Sequence, residues 1–169
     1  MSLIMQPARI PAGGVFPVIG AEYPSSGQTF VRGAIMVPGS GANLGKYQEA
    51  GVNPAVIAGV ALQSVDTAPG FAMANSPTTI TGRQTKISMA TNNSQTEFEA
   101  TLTNGSSTRV TPATTDIGQR YGVTAYSGVW VLDKAKIGND ARAEVTGIDT
   151  TTGKNLVFFK FLPSTQPGS

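Results

Sequence analysis

The chain contains no cysteine and no histidine. Without histidine there is no imidazole general base, no Ser-His-Asp or Cys-His nucleophile, and no histidine-ligated zinc or haem. Without cysteine there is no thiolate catalysis, no zinc ribbon, no iron–sulfur cluster and no disulfide framework. Charge is scarce as well: Asp, Glu, Lys and Arg make up 13% of the 169 residues, about half the ~25% of an average soluble protein. Only ten acids are present and they are scattered. No apolar run approaches the ~18 residues of a membrane helix.

What replaces the charge is small and polar. The chain carries 20 Thr, 13 Ser, 8 Asn, 20 Gly and 11 Pro. Its length suffices for one domain with a core, because a chain of about 150 residues buries roughly 68–70% of its unfolded surface. The net charge of +2 corresponds to a pI near 9.0. That value is no sign of nucleic-acid binding, which needs clustered cations. The densest basic pairs here are Arg83/Lys86 and Lys134/Lys136. The N-terminus lacks a basic segment, and Pro7, Pro11 and Pro17 interrupt it before a signal-peptide core forms. The expectation is therefore synthesis in the cytoplasm, with no membrane and no nucleic acid as partner.

Residues 1–28 read as an extended arm. Pro7, Pro11, Pro17 and Pro24 turn the preceding residues away from helix. Yet Leu3, Ile4, Met5, Ile10, Val15, Phe16, Ile19 and Tyr23 are too apolar for a solvated linker. They are the candidate contact residues, against a neighbouring subunit or against the arm's own domain. Residues 29–169 read as one β-rich domain.

Short strands with turn punctuation fill that domain. Thr29–Val37 is β-branched and apolar. Ala55–Ser64 has the continuous apolar character of a strand buried on both faces. Thr85–Ala90 is a weaker candidate. Thr96–Thr103 alternates, with Phe98, Ala100 and Leu102 opposite Glu97, Glu99, Thr101 and Thr103, which predicts a half-buried strand. Asn104-Gly105 follows it as a hairpin dipeptide. Ser127-Gly128 joins Tyr121–Tyr126 to Val129–Asp133, and Thr150–Lys154 joins Ala141–Asp149 to Asn155–Leu162. These C-terminal hairpins occupy residues 117–163. The single helical candidate is a short turn around Asn43–Ala50. The fold class expected is all-β: a small barrel or sandwich (β-tulip-like) of short strands, with an extended N-terminal arm and little helix.

No motif for chemistry survives inspection. Gly39, Gly41 and Gly45 miss the dinucleotide spacing by one residue, and no βαβ unit follows. Glu97 and Glu99 lie within the reach of a glycosidase pair, but a solvated strand face accounts for them better. Asp133, Asp140 and Asp149 sit at strand ends, where Asp bonds turn backbone. Trp130, in Val129–Asp133, is expected in the core. The expectation is a non-enzymatic protein with no catalytic, cofactor-binding or metal-binding residues.

The segment Arg32-Gly33-Ala34-Ile35-Met36-Val37, then a glycine-rich loop, then Ala58-Gly59-Val60-Ala61-Leu62, resembles the opening of phage head decoration (cement) proteins of the lambda type. Ile117–Val123 with Gly128–Val131, and Val145–Asp149 through Lys160–Pro163, are similar to segments of tailed-phage virion structural proteins. Together they cover roughly half the chain. The resemblance implies a structural protein on the outside of an icosahedral capsid, which it stabilises by bridging capsid subunits. Its partners would be the major capsid protein and further copies of itself, as a homotrimer, with the arm joining a neighbour by strand addition. Two alternatives stand beside it. One is a tail or head–tail component of the same kind of virion. The other is a carbohydrate-binding β-sandwich that uses Trp130 and Tyr126.

Overall fold

The computed structural model describes residues 4–9, 17–22, 29–66, 86–151 and 153–167. In chain order the strands are β1 (Gln6–Arg9), β2 (Val18–Glu22), β3 (Thr29–Phe30), β4 (Ile35–Pro38), β5 (Tyr47–Glu49), β6 (Gly59–Ala61) and β7 (Val65–Asp66). There follow β8 (Lys86–Thr91), β9 (Glu97–Thr103), β10 (Arg109–Val110), β11 (Arg120–Tyr126), β12 (Val129–Asp133), β13 (Ala143–Asp149) and β14 (Leu156–Phe161). The only helical elements among the described residues are single 3-10 turns. The fold is all-β and sandwich-like.

The larger sheet closes on itself. β9 pairs in parallel with β12, which pairs with β11, then β13, then β14, and β14 returns to pair antiparallel with β9. Five strands thus form a ring, with β1 and β10 added along β9. Closure removes the exposed edges that an open sheet would carry. The register sorts the side chains by face, because directly opposed residues point the same way. Phe98 lies opposite Phe159, Ala100 opposite Val157, Leu102 opposite Leu132, and Phe161 opposite Ala143. All of these are buried in one apolar cluster. The Phe98 ring lies 6.0 Å from Phe159 and 5.1 Å from Phe161.

The second sheet is an antiparallel set in the order β2-β8-β6-β4-β5. Ile35, Met36, Val60, Ala61, Ile87 and Met89 bring its apolar residues into the same core cluster. β3 and β7 form a separate two-stranded ribbon. Polar contacts join the layers. The Trp130 indole N–H donates to Glu49 Oε1 at 2.9 Å, linking β12 to β5. Arg142 Nε donates to the Pro54 carbonyl at 2.7 Å. Asn92, after β8, donates through Nδ2 to Thr165 Oγ1 beyond β14, and the same group bonds the Ile57 carbonyl within its own layer.

Several expectations need correction. Asn43–Ala50 is not a helical turn: after a 3-10 turn at Gly41–Asn43 it becomes β5, because pairing with β4 outweighs weak local helix preference. Thr29–Val37 is two strands, broken where Gly33 takes φ 91°. A side chain there would also strike the Met5 carbonyl at 2.7 Å. The expected strand Ala55–Ser64 is regular only over Gly59–Ala61. β9 is not half-buried: Glu97, Thr101 and Thr103, on its supposedly solvated face, are each 1% exposed. Asn104-Gly105 opens a longer loop before β10 rather than a two-residue turn.

The two hairpins expected downstream are present. Ser127 and Gly128 both have positive φ, 51° and 76°, as a tight turn of matching twist requires. Thr150–Lys154 connects β13 to β14.

Candidate interaction surface

Of the eight apolar arm residues, Leu3, Ile10, Val15, Phe16 and Tyr23 lie outside the described residues. The other three differ in placement. Ile4 is half-buried. Met5 is 1% exposed and belongs to the domain's own core cluster. Ile19 is 39% exposed, on β2 beside Val18 at 46%. The N-terminal region is thus part of both sheets in its described portions: β1 pairs with β9 and β2 with β8. Deleting residues 1–20 would remove β1, Met5 and half of β2, so that deletion disturbs the core as well as any contact surface.

β2 is the outermost strand of the second sheet. Its inner edge pairs with β8 over five residue pairs, from Val18↔Ala90 to Glu22↔Lys86. Among the described residues no strand pairs with its outer edge. Such an edge presents unpaired N–H and C=O groups and is a template for another strand. Gly20 is exposed, and the two large exposed side chains beside it are apolar.

A second apolar feature is Val52 and Ile137, 73% and 64% exposed, on neighbouring loops. Asn53 Nδ2 reaches Asp140 Oδ1 at 3.4 Å, and Asn53 Oδ1 accepts from the Val123 N–H, so the two loops are held together. Leu44 is 78% exposed in the turn between β4 and β5.

The titratable groups that draw attention serve the fold. Glu97 accepts a hydrogen bond from the Thr146 hydroxyl, and Glu99 accepts from the Gln6 amide. Each of the two carboxylates therefore has its own donor. Asp133 Oδ1 accepts from the Gly105 and Ala135 N–H groups, and Asp149 Oδ1 from the Thr151 N–H, as strand-end Asp residues do. Among the described residues no group of three or more acids could hold a metal ion. Trp130 is 2% exposed and bonded through its indole to Glu49, so it offers no ring face to a sugar.

One polar cluster was missed in the sequence. Asp116 is 1% exposed. It accepts from the Tyr121 hydroxyl at 2.7 Å and from the Ala113 N–H at 2.8 Å, and pairs with Lys134 Nζ at 2.7 Å. Burial alone would raise its pKa. The Ala113 N–H, Lys134 and Tyr121 outweigh burial and hold the carboxyl below its usual value. Burial and Asp116 together push the Tyr121 phenol upward. Because the folded pKa of Asp116 is depressed, its stabilisation is present above the unfolded value of about 3.9 and is lost as pH falls through the folded value. Asp116→Asn should cost about 2 kcal/mol at pH 7, since it discharges a buried ion pair's acceptor. Urea unfolding curves of the variant and wild type should then converge below about pH 4. A gap that stays constant with pH would contradict this reading.

Comparison with protein-family models, with curated proteins and with solved structures finds no match to this chain.

Proposed function

We propose that the chain is a non-enzymatic structural protein of a tailed-phage virion. In this reading it binds the outer surface of an icosahedral capsid and stabilises it by bridging capsid subunits. The observation that carries the reading is the outer edge of β2, with which no strand among the described residues pairs, and Val18 and Ile19 exposed on that strand. An extended segment of a capsid subunit, or of a second copy, adds to this edge through main-chain hydrogen bonds, and the two apolar side chains supply contact area. The capsid as partner is what the sequence resemblance implies.

The mechanism is mechanical. A standard interface buries about 1,200–2,000 Å². Repetition over a whole capsid lets modest single affinities hold through avidity. The low charge and the Thr- and Ser-rich composition suit packing against like neighbours.

The test is the state of the purified chain and its behaviour with heads. Sedimentation should give three times the 17.4 kDa chain mass. The protein should co-sediment with expanded heads lacking their own copy. Rings or tubes in negative stain, with no head binding, would favour a tail or head–tail component instead.

A further inference from the structure

Of the eight asparagines in the chain, one is followed by glycine: Asn104-Gly105. The pair lies just beyond the end of β9, in the loop into β10, and both residues are exposed. The Asn104 carboxamide makes no hydrogen bond among the described residues, so it can turn toward its own backbone. Gly105 has φ 73° and no side chain to shield its nitrogen. Other asparagines lack this combination. Asn92 is buried with its amide bonded to Ile57 and Thr165. Asn53 bonds Asp140 and precedes Pro54, whose nitrogen carries no proton.

A free carboxamide beside an unshielded glycine nitrogen is the arrangement from which a cyclic imide forms. One contact opposes it. The Gly105 N–H donates to Asp133 Oδ1 at 2.7 Å. Asp133 is 2% exposed and is itself held by the Ala135 N–H at 3.0 Å and the Tyr126 hydroxyl at 3.3 Å. The nucleophile in imide formation is the Gly105 nitrogen after it has lost its proton. An amide anion formed against a buried carboxylate meets like-charge repulsion in a low-dielectric setting. The charge-assisted hydrogen bond must therefore break before the nitrogen can attack.

We propose that Asn104 is a site of spontaneous self-modification and that Asp133 sets its rate. The Gly105 nitrogen gives its proton to solvent hydroxide and bonds to Asn104 Cγ. The Cγ–Nδ2 bond breaks, and ammonia leaves with a proton from water. Water then opens the imide at either carbonyl, leaving aspartate or isoaspartate at position 104. The net charge of +2 falls by one. In the isoaspartate product the main chain runs through the former side chain and is one methylene longer. The Gly105 N–H then loses its place on Asp133, and the loop is released irreversibly. The site is a one-way timer that runs slowly while the loop is closed. It does not rest on the capsid reading, since it uses neither β2 nor the arm.

The experiment incubates the full chain in mildly alkaline buffer, folded and in urea, and follows position 104 by peptide mapping and mass spectrometry. Both aspartate and isoaspartate should appear there, at least about tenfold more slowly in the folded chain, the worth of one charge-assisted hydrogen bond. Asp133→Asn keeps an acceptor oxygen for the Gly105 and Ala135 N–H groups but removes the charge. The folded variant should convert about tenfold faster than folded wild type, and at the wild-type rate in urea. Asn104→Gln should show no conversion, because a longer side chain closes the ring poorly. The comparison of folded with unfolded wild type decides the question even where Asp133→Asn fails to fold. No conversion at position 104 in urea, equal rates for folded and unfolded wild type, or a folded Asp133→Asn that converts no faster would each overturn the proposal.

Discussion

Phe98→Ala is expected to destabilise the domain by about 3–5 kcal/mol, the range for removing a fully buried Phe. Phe98 is 0% exposed and stands on the strand where the ring closes. Its ring packs on Phe159 and Phe161, and those two meet edge to face at 5.3 Å. The truncation therefore leaves a void between β9 and the Phe159 and Phe161 rings of β14. A typical domain has only about 5–15 kcal/mol in total, so the variant should lose roughly a fifth or more of its stability. Phe158 provides the contrast. It points to the opposite face of β14 and is only half-buried, so Phe158→Ala should cost roughly 1–2 kcal/mol. Chemical denaturation of both variants checks this; equal losses would mean that the inner face of the ring is not the core.

Gly59→Ala should be comparably damaging, and for the opposite reason. Replacing Gly by Ala usually stabilises by about 0.4–1 kcal/mol through the unfolded chain. Here the added Cβ would sit 2.1 Å from the Ala90 carbonyl oxygen and 3.0 Å from Met89 Cγ. Gly59 lies on β6 between β4 and β8, opposite Met36 and Thr91. Backbone on the neighbouring strand cannot yield as a side-chain tip can, so β6 and β8 must separate. Overpacking of this kind costs about 3 kcal/mol or more, which outweighs the entropic gain. Gly147→Ala is the control. Its Cβ would meet only Phe158, at 3.5 Å and 3.8 Å, without a positive φ. That variant should be neutral or slightly stabilised. Thermal melts of the pair decide it, and a stable Gly59→Ala would contradict the close approach of β6 to β8.

The local elements were legible in the sequence wherever one residue pair determines geometry. Ser127-Gly128 marks a hairpin because both residues must take positive φ. The alternation around Phe98, Ala100 and Leu102 gives the core face of β9, and Trp130 is in the core as its strand position suggests. What remained hidden depends on distant contacts. Nothing near Glu97 tells that its face of β9 is covered, since the Thr146 hydroxyl that binds it arrives from another strand. The polar stretch Tyr47–Glu49 becomes a strand only because β4 is there to pair with it. Ring closure leaves no local trace either, because the parallel β9–β12 pairing joins residues far apart in sequence. The Asp116 cluster needed Lys134 and Tyr121 brought together from three elements. For the arm, the apolar pattern identified residues with something to bury, but could not separate Met5, which packs in its own domain, from Ile19, which is exposed.

In the proposed function, the outer edge of β2 holds this protein on a capsid. The most direct test is co-sedimentation of purified expanded heads with wild-type protein and with a Val18→Lys, Ile19→Lys double variant. Both positions are exposed, so the variant should fold with an unchanged melting temperature, while charge along the edge blocks strand addition. Saturable binding is expected for the wild type and a loss of at least about tenfold for the variant. Equal binding of the two proteins, or no binding of the wild type to any head form, would contradict it.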